Sequence, residues 1–115
     1  MSFNVTELQK LTAQLEELGF KCNEGKSPAD ALSAYAKVLG ADNTSGSSHM
    51  VYLYNFESDL QLHLQCNEAF FVDDEVAHII ATTIYEPKWQ KVGGGKYVNA
   101  DKLLNFVQKR LNAHK

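Results

Sequence analysis

Apolar residues fall at helical spacing from the start of the chain: Val5, Leu8, Leu11, Leu15 and Leu18 make one stripe. Asn4 stands at the capping position, and Glu7 follows three residues later as in a capping box. Gly19 predicts the helix end, with Phe20 placed for a Schellman-type contact. The same grammar then repeats. Ser27 caps, Pro28 suits the first helical turn, and Asp30 favours the positive end of the helix dipole. Ala31, Leu32, Tyr35 and Leu39 form its inward stripe, and Gly40 ends it. The short linker "KCNEGK" predicts that the two helices are antiparallel neighbours.

Beyond residue 50 the period changes to two. Val51 and Leu53 alternate with Tyr52, Tyr54 and Phe56, while Leu60, Leu62, Leu64 and Cys66 alternate with Gln61, His63 and Gln65. The turn "ESD" between the runs predicts an antiparallel hairpin with one apolar face and one polar face carrying aromatic rings. At this stage helices could still cover that second face and make it core.

β-branched residues dominate positions 76–84 and predict a central strand, apolar on both faces. A helix is the competing expectation, because Asp73, Asp74 and Glu75 suit a helix start and Val76, Ile79, Ile80 and Thr83 fit its spacing. Pro87 ends either element. "KWQKVGGGKYV", residues 88–98, reads as a flexible basic turn, with "KWQKV" and "KYV" pairing as a short hairpin around the glycines. Asn99 caps a last helix whose stripe is Leu103, Leu104, Val107 and Leu111, with Lys109, Arg110 and His114 near its negative end.

The expected architecture is α+β in one domain, residues 1–115. Two N-terminal helices precede an antiparallel sheet of three or more strands, and a C-terminal helix packs on the sheet. "ADNTSGSSHM" predicts a flexible loop at about 41–49.

Composition adds exclusions. A chain of 115 residues with 44% hydrophobic content can bury a core without staples. Cys22 and Cys66 lie far apart, outside any CxxC spacing, which argues against a disulfide framework and a zinc ribbon and for two reduced thiols. No apolar run approaches the ~20 residues that span a bilayer, so no membrane partner is expected. "MSFNVTELQK" lacks the basic start and apolar stretch of a secretory signal, which points to the cytoplasm.

Charge divides the chain in two. Residues 1–87 carry four lysines against thirteen acids, a balance of −9; residues 88–115 carry six lysines and Arg110 against Asp101, a balance of +6. Such a division marks either an anionic partner or two faces of one domain that attract each other.

Three chemical patterns bear on the basic quarter. The glycines with Lys96 lack the spacing and the Ser or Thr of a phosphate-binding P-loop. Asp73 or Asp74 followed by Glu86 and Lys88 resembles the PD-(D/E)xK nucleases, which implies acids holding a divalent metal and a lysine activating water. This sequence lacks the proline before the first acid and puts Pro87 inside the second element. The order helix, strands, glycine-and-lysine turn, helix over residues 28–111 resembles double-stranded RNA-binding domains, which implies phosphate contacts from Lys96 and Lys102. The paired lysines of that family are missing. His63 and Cys66, three apart on a strand, face opposite sides and do not form a metal pair.

These patterns favour a non-enzymatic cytoplasmic module that needs neither cofactor nor metal and docks on a larger protein as a regulator, inhibitor or immunity-type protein. Its candidate contacts are Tyr52, Tyr54 and His63 on the outer hairpin face and the acidic set Asp73, Asp74 and Glu75. The alternative is nucleic-acid binding by charge and stacking through Lys88, Trp89, Lys91, Lys96 and Tyr97. A metal-dependent nuclease is the remote alternative.

Overall fold

The Asn4 cap forms as the spacing predicts: its Oδ1 accepts the Glu7 N–H at 2.8 Å, and helix α1 runs Val5–Glu17. The structure, a computed structural model, describes residues 3–22, 25–40, 48–72 and 75–113. At Gly19 the backbone turns left-handed (φ 94°), a conformation that glycine adopts without steric penalty. Phe20 then leaves the helix and opens a two-residue strand, β1 (Phe20–Lys21).

The second predicted helix is broken into two. Ser27 Oγ accepts the Asp30 N–H at 3.2 Å and starts α2 (Pro28–Ala31). Leu32 then leaves helical dihedrals (φ −98°, ψ 12°), and α3 (Ser33–Gly40) follows. Helical hydrogen bonds still flank the break, Leu32 N–H to the Pro28 carbonyl and Ala36 N–H to the Leu32 carbonyl, both at 3.0 Å, and Leu32 and Tyr35 are both buried.

Four longer strands complete the sheet: β2 (Ser48–Asn55), β3 (Leu60–Val72), β4 (Glu75–Glu86) and β5 (Gln90–Tyr97). Their order is β1-β2-β3-β4-β5, with every neighbour antiparallel, a simple meander. Helix α4 (Ala100–Ala113) closes the chain, its first turn capped by Asn99 Oδ1, which accepts the Lys102 N–H at 3.0 Å. Among the described residues the fold is therefore α+β, with four α-helices and a five-stranded antiparallel sheet.

The helices gather on one face of that sheet. Val51, Leu53, Leu60, Leu62, Leu64, Cys66, Ile80 and Ile84 form one buried cluster with Leu8, Leu11 and Leu15 of α1 and with Leu103, Leu104, Val107 and Leu111 of α4. Tyr35 joins it from α3 and donates its hydroxyl to the Ile79 carbonyl at 3.3 Å. Lys10 of α1 pairs with Asp101 of α4 at 2.6 Å across the exposed edge of the helical layer. This is a two-layer arrangement, which buries one side of a sheet and leaves the other to water or to a partner.

Several expectations are corrected. The segment 76–84 is a strand rather than a helix; Ile79 and Ile80 are buried on opposite sides, and beyond them Thr82 and Ile84 are buried whereas Ala81, Thr83 and Tyr85 are half-buried on the opposite side. The three glycines do not turn the chain and do not separate a hairpin. They lie inside β5, and the reason is close approach. A Cβ on Gly93 would stand 2.8 Å from the Phe106 ring of α4, and one on Gly94 would stand 2.9 Å from the Thr82 carbonyl oxygen. Of the expected loop at 41–49, residues 41–47 lie outside the described residues, and Ser48 and His49 belong to β2. Four strands, β2 to β5, separate α3 from α4, and the glycine-and-lysine segment is one of them, unlike the double-stranded RNA-binding pattern.

Cys22 and Cys66 are both free. No helix among the described residues is long and apolar enough to cross a membrane.

Candidate binding face

Register defines the uncovered side of the sheet. Residues directly opposite each other in an antiparallel ladder share a face. Met50, Gln65, Ala81 and Lys96 therefore make one row across β2, β3, β4 and β5. Tyr52, His63, Thr83 and Gly94 make the next, and Tyr54, Gln61, Tyr85 and Lys91 the third. None of these residues is buried and none is acidic. The helices thus leave these three rows open, while farther along the same side Ile79 is buried.

Aromatic rings occupy its middle. The Tyr52 and His63 centroids are 4.6 Å apart in edge-to-face geometry, and His63 and Tyr85 are also 4.6 Å apart. Trp89 reaches in from the short 3-10 turn Pro87–Trp89, with centroids 5.8 Å from both His63 and Tyr85. Tyr54 and Phe56 form a second pair at 4.8 Å. Although clustered, the rings present much of their surface to solvent: Tyr52 is 46% exposed, Trp89 66% and Phe56 68%, with Met50 beside them at 49%.

His63 sits at the centre of the cluster. Burial holds its pKa below the ordinary 6.5, because the charged imidazolium loses water there. Its Nε2 is buried with no hydrogen-bond partner. The imidazole thus joins the tyrosine and tryptophan rings in one tilted, edge-to-face cluster.

Lysines border the rings. Lys91 and Lys96 end two of the rows on β5, and Lys88 is exposed beside Trp89. At the corner where the β2–β3 turn meets the Pro87–Trp89 turn lies a cleft of about 210 Å³, lined by Tyr54, Asp59, Gln61, Glu86, Pro87, Lys88 and Trp89. A larger groove of about 710 Å³ lies elsewhere, between the ends of α1 and α4 and the β2–β3 turn.

Two sets of residues that looked separate in the sequence therefore share one surface. Tyr52, Tyr54 and His63 come from the hairpin; Lys88, Trp89, Lys91 and Lys96 come from the basic quarter. Tyr97 does not join them. It lies on the helical side, stacked on Phe106 at 6.0 Å, where burial raises its pKa. The one-residue alternation of β5 that turns Lys96 outward turns Tyr97 inward. Asp73 and Asp74 lie outside the described residues, and Glu75 begins β4.

Tyr85, Gln61 and Asp59 were missed as site residues. Tyr85 hides in an apolar run, and its place beside His63 depends on the β3–β4 register, which no local signal carries.

The nuclease resemblance is not supported by this geometry. Glu86 ends β4, and Lys88 has left the strand with φ 67°, so the two do not share the i, i+2 alignment on a strand that the motif needs. β4 also runs from Glu75 to Glu86, and at ~3.3 Å per residue its ends are on the order of 35 Å apart. Among the described residues no cluster of three His, Cys, Asp or Glu side chains could hold a metal ion.

No protein-family model matches this chain, and no curated protein or solved structure matches it.

Proposed function

We propose that this chain is a non-enzymatic binding module that holds a single-stranded nucleic acid across the open face of its sheet. The observation that supports it is the pairing of exposed rings with a lysine border on a surface whose three rows carry no acid. Unpaired bases stack on aromatic side chains, at ~1–3 kcal/mol per base, and lysines balance the phosphates that run beside them. Three interstrand spacings of ~4.8 Å make the face about 14 Å wide, room for two or three stacked bases. The chain as a whole carries −3, and at physiological salt charges more than ~8 Å from the face are largely screened.

A protein partner is the second reading. It is favoured by the exposed apolar surface of Met50 and Phe56, which suits interface anchors as well as bases.

Fluorescence anisotropy of a labelled oligothymidine, at 50 and 200 mM salt, distinguishes them. Three phosphate contacts give a log–log salt slope of about −2, a loss of roughly 15-fold between those conditions. The Lys88→Gln, Lys91→Gln, Lys96→Gln triple variant should lose most of that slope. Absence of binding to DNA and RNA strands at 50 mM, together with capture of one protein that Tyr52→Ala abolishes, would assign the face to protein docking instead.

A further inference from the structure

We infer that the cleft at the corner of the open face is a base-reading subsite that takes guanine in preference to the other bases. The inference rests on the single-strand reading and adds a preference to it. Its size is right for one base. About 210 Å³, below the usual range for drug-sized ligands, suits a single small flat group beside the face rather than a stretch of chain. Its walls are right as well: Trp89 and Tyr54 offer ring surface, and Gln61 offers an amide that both donates and accepts.

Backbone strain gathers at the same place. Asp59 (φ 56°), Lys88 (φ 67°) and Trp89 (φ 61°) are the described non-glycine residues in left-handed conformation, and all three line this cleft. Asp59 ends the β2–β3 hairpin loop, where aspartate adopts this conformation readily, whereas Lys88 and Trp89 adopt it in succession in the Pro87–Trp89 turn. Unfavourable backbone of this kind persists where the surrounding fold holds it, and it concentrates at ligand sites.

The chemistry of Asp59 selects the base. A carboxylate beside a phosphate-binding surface repels the ligand unless it gains donors in return. An ionised carboxylate only accepts, through two oxygens side by side. Guanine alone presents two adjacent donors, N1–H and N2–H, on its pairing edge. Thymine and uracil present one donor between two acceptors, while adenine and cytosine set an amino group beside an acceptor. Asp59, together with the second carboxylate of this lining, Glu86, therefore rewards guanine and opposes the rest, and Lys88 and Gln61 of the same lining carry donors suited to O6.

Trp89 is the only tryptophan in the chain, so its fluorescence reports on this corner directly. The experiment titrates the protein with three short strands: oligothymidine, the same strand with one central guanine, and the same strand with hypoxanthine in that place. The guanine strand should bind about tenfold more tightly, the discrimination a good bidentate contact supplies. Hypoxanthine, which lacks the 2-amino group, should lose most of that gain, and Asp59→Asn should level the guanine and thymine strands. Asparagine tolerates the left-handed backbone of this position, and the hypoxanthine strand tests the same contact on the unaltered protein. If the guanine strand binds no more tightly than oligothymidine, or Asp59→Asn keeps the preference, the subsite is wrong while the open-face function stands. If no strand binds, both fall together.

Discussion

Tyr52 of β2 and His63 of β3 stand directly opposite each other in the ladder, with their rings 4.6 Å apart and nearly perpendicular at 84°. Edge-to-face contact sets the positive rim of one ring against the negative face of the other. The contact joins the hairpin's outer surface to Tyr85 and Trp89, because His63 touches both. Removing it should therefore disturb the binding face without opening the core beneath.

His63 should make stability depend on pH. Its folded pKa lies below 6.5, so the unfolded chain takes up the proton first as pH falls. The contribution of neutral His63 is fully present above the unfolded value and is lost as pH falls through 6.5 towards the folded value. Urea midpoints measured from about pH 8 to pH 5 should drop in that window, and His63→Phe should flatten that part of the curve. An unchanged slope in the variant would show that His63 is not the group that titrates.

The two thiols should differ in reactivity. Burial pushes the Cys66 pKa up to about 12, so almost no thiolate forms at neutral pH, while Cys22 is only half-buried. Iodoacetamide followed by mass spectrometry should modify Cys22 in the folded protein and reach Cys66 only in denaturant. Equal labelling rates would place Cys66 outside the core.

Gly94→Ala tests the packing of β5. The new Cβ would stand 2.9 Å from a backbone oxygen, which has no flexible end to move aside. The expected loss is about 1–3 kcal/mol by urea denaturation, as for other overpacking changes. A stable alanine variant would mean that β5 runs farther from β4 than described.

Asn55 is a structural lock that its sequence context conceals. Its Nδ2 donates to the Leu18 carbonyl at 2.8 Å, and its Oδ1 accepts the Ser58 N–H at 2.9 Å. One buried side chain thus joins the end of α1 to the β2–β3 turn. Asn55→Ala leaves both backbone groups without that partner, at about 2–3 kcal/mol, measurable as a lower urea midpoint. Asn55→Asp would spare the acceptor role but set a buried carboxylate oxygen against the Leu18 carbonyl, and should cost at least as much.

Local rules account for much of the fold. The caps at Asn4, Ser27 and Asn99 all form, because a cap needs only a side-chain oxygen and an N–H three residues on. The β2–β3 hairpin forms because strict alternation permits one buried face, and a one-residue slip would bury Gln61, His63 and Gln65 instead. The strand made by residues 93–95 was not legible, since it answers to distant partners, Phe106 and the Thr82 carbonyl.

The binding face divides along the same line. Sequence alone determined that Tyr52, Tyr54 and His63 share a side and that the lysines crowd into residues 88–115, because alternation and composition are properties of neighbours. Tertiary structure alone decided that the helices cover the other side and that Lys91 and Lys96 come to the edge of the aromatic rows. That outcome depends on the register of β4 on β3 and of β5 on β4. Those registers pair residues far apart in sequence, such as Ala81 with Lys96, which the chain does not bring together until it folds.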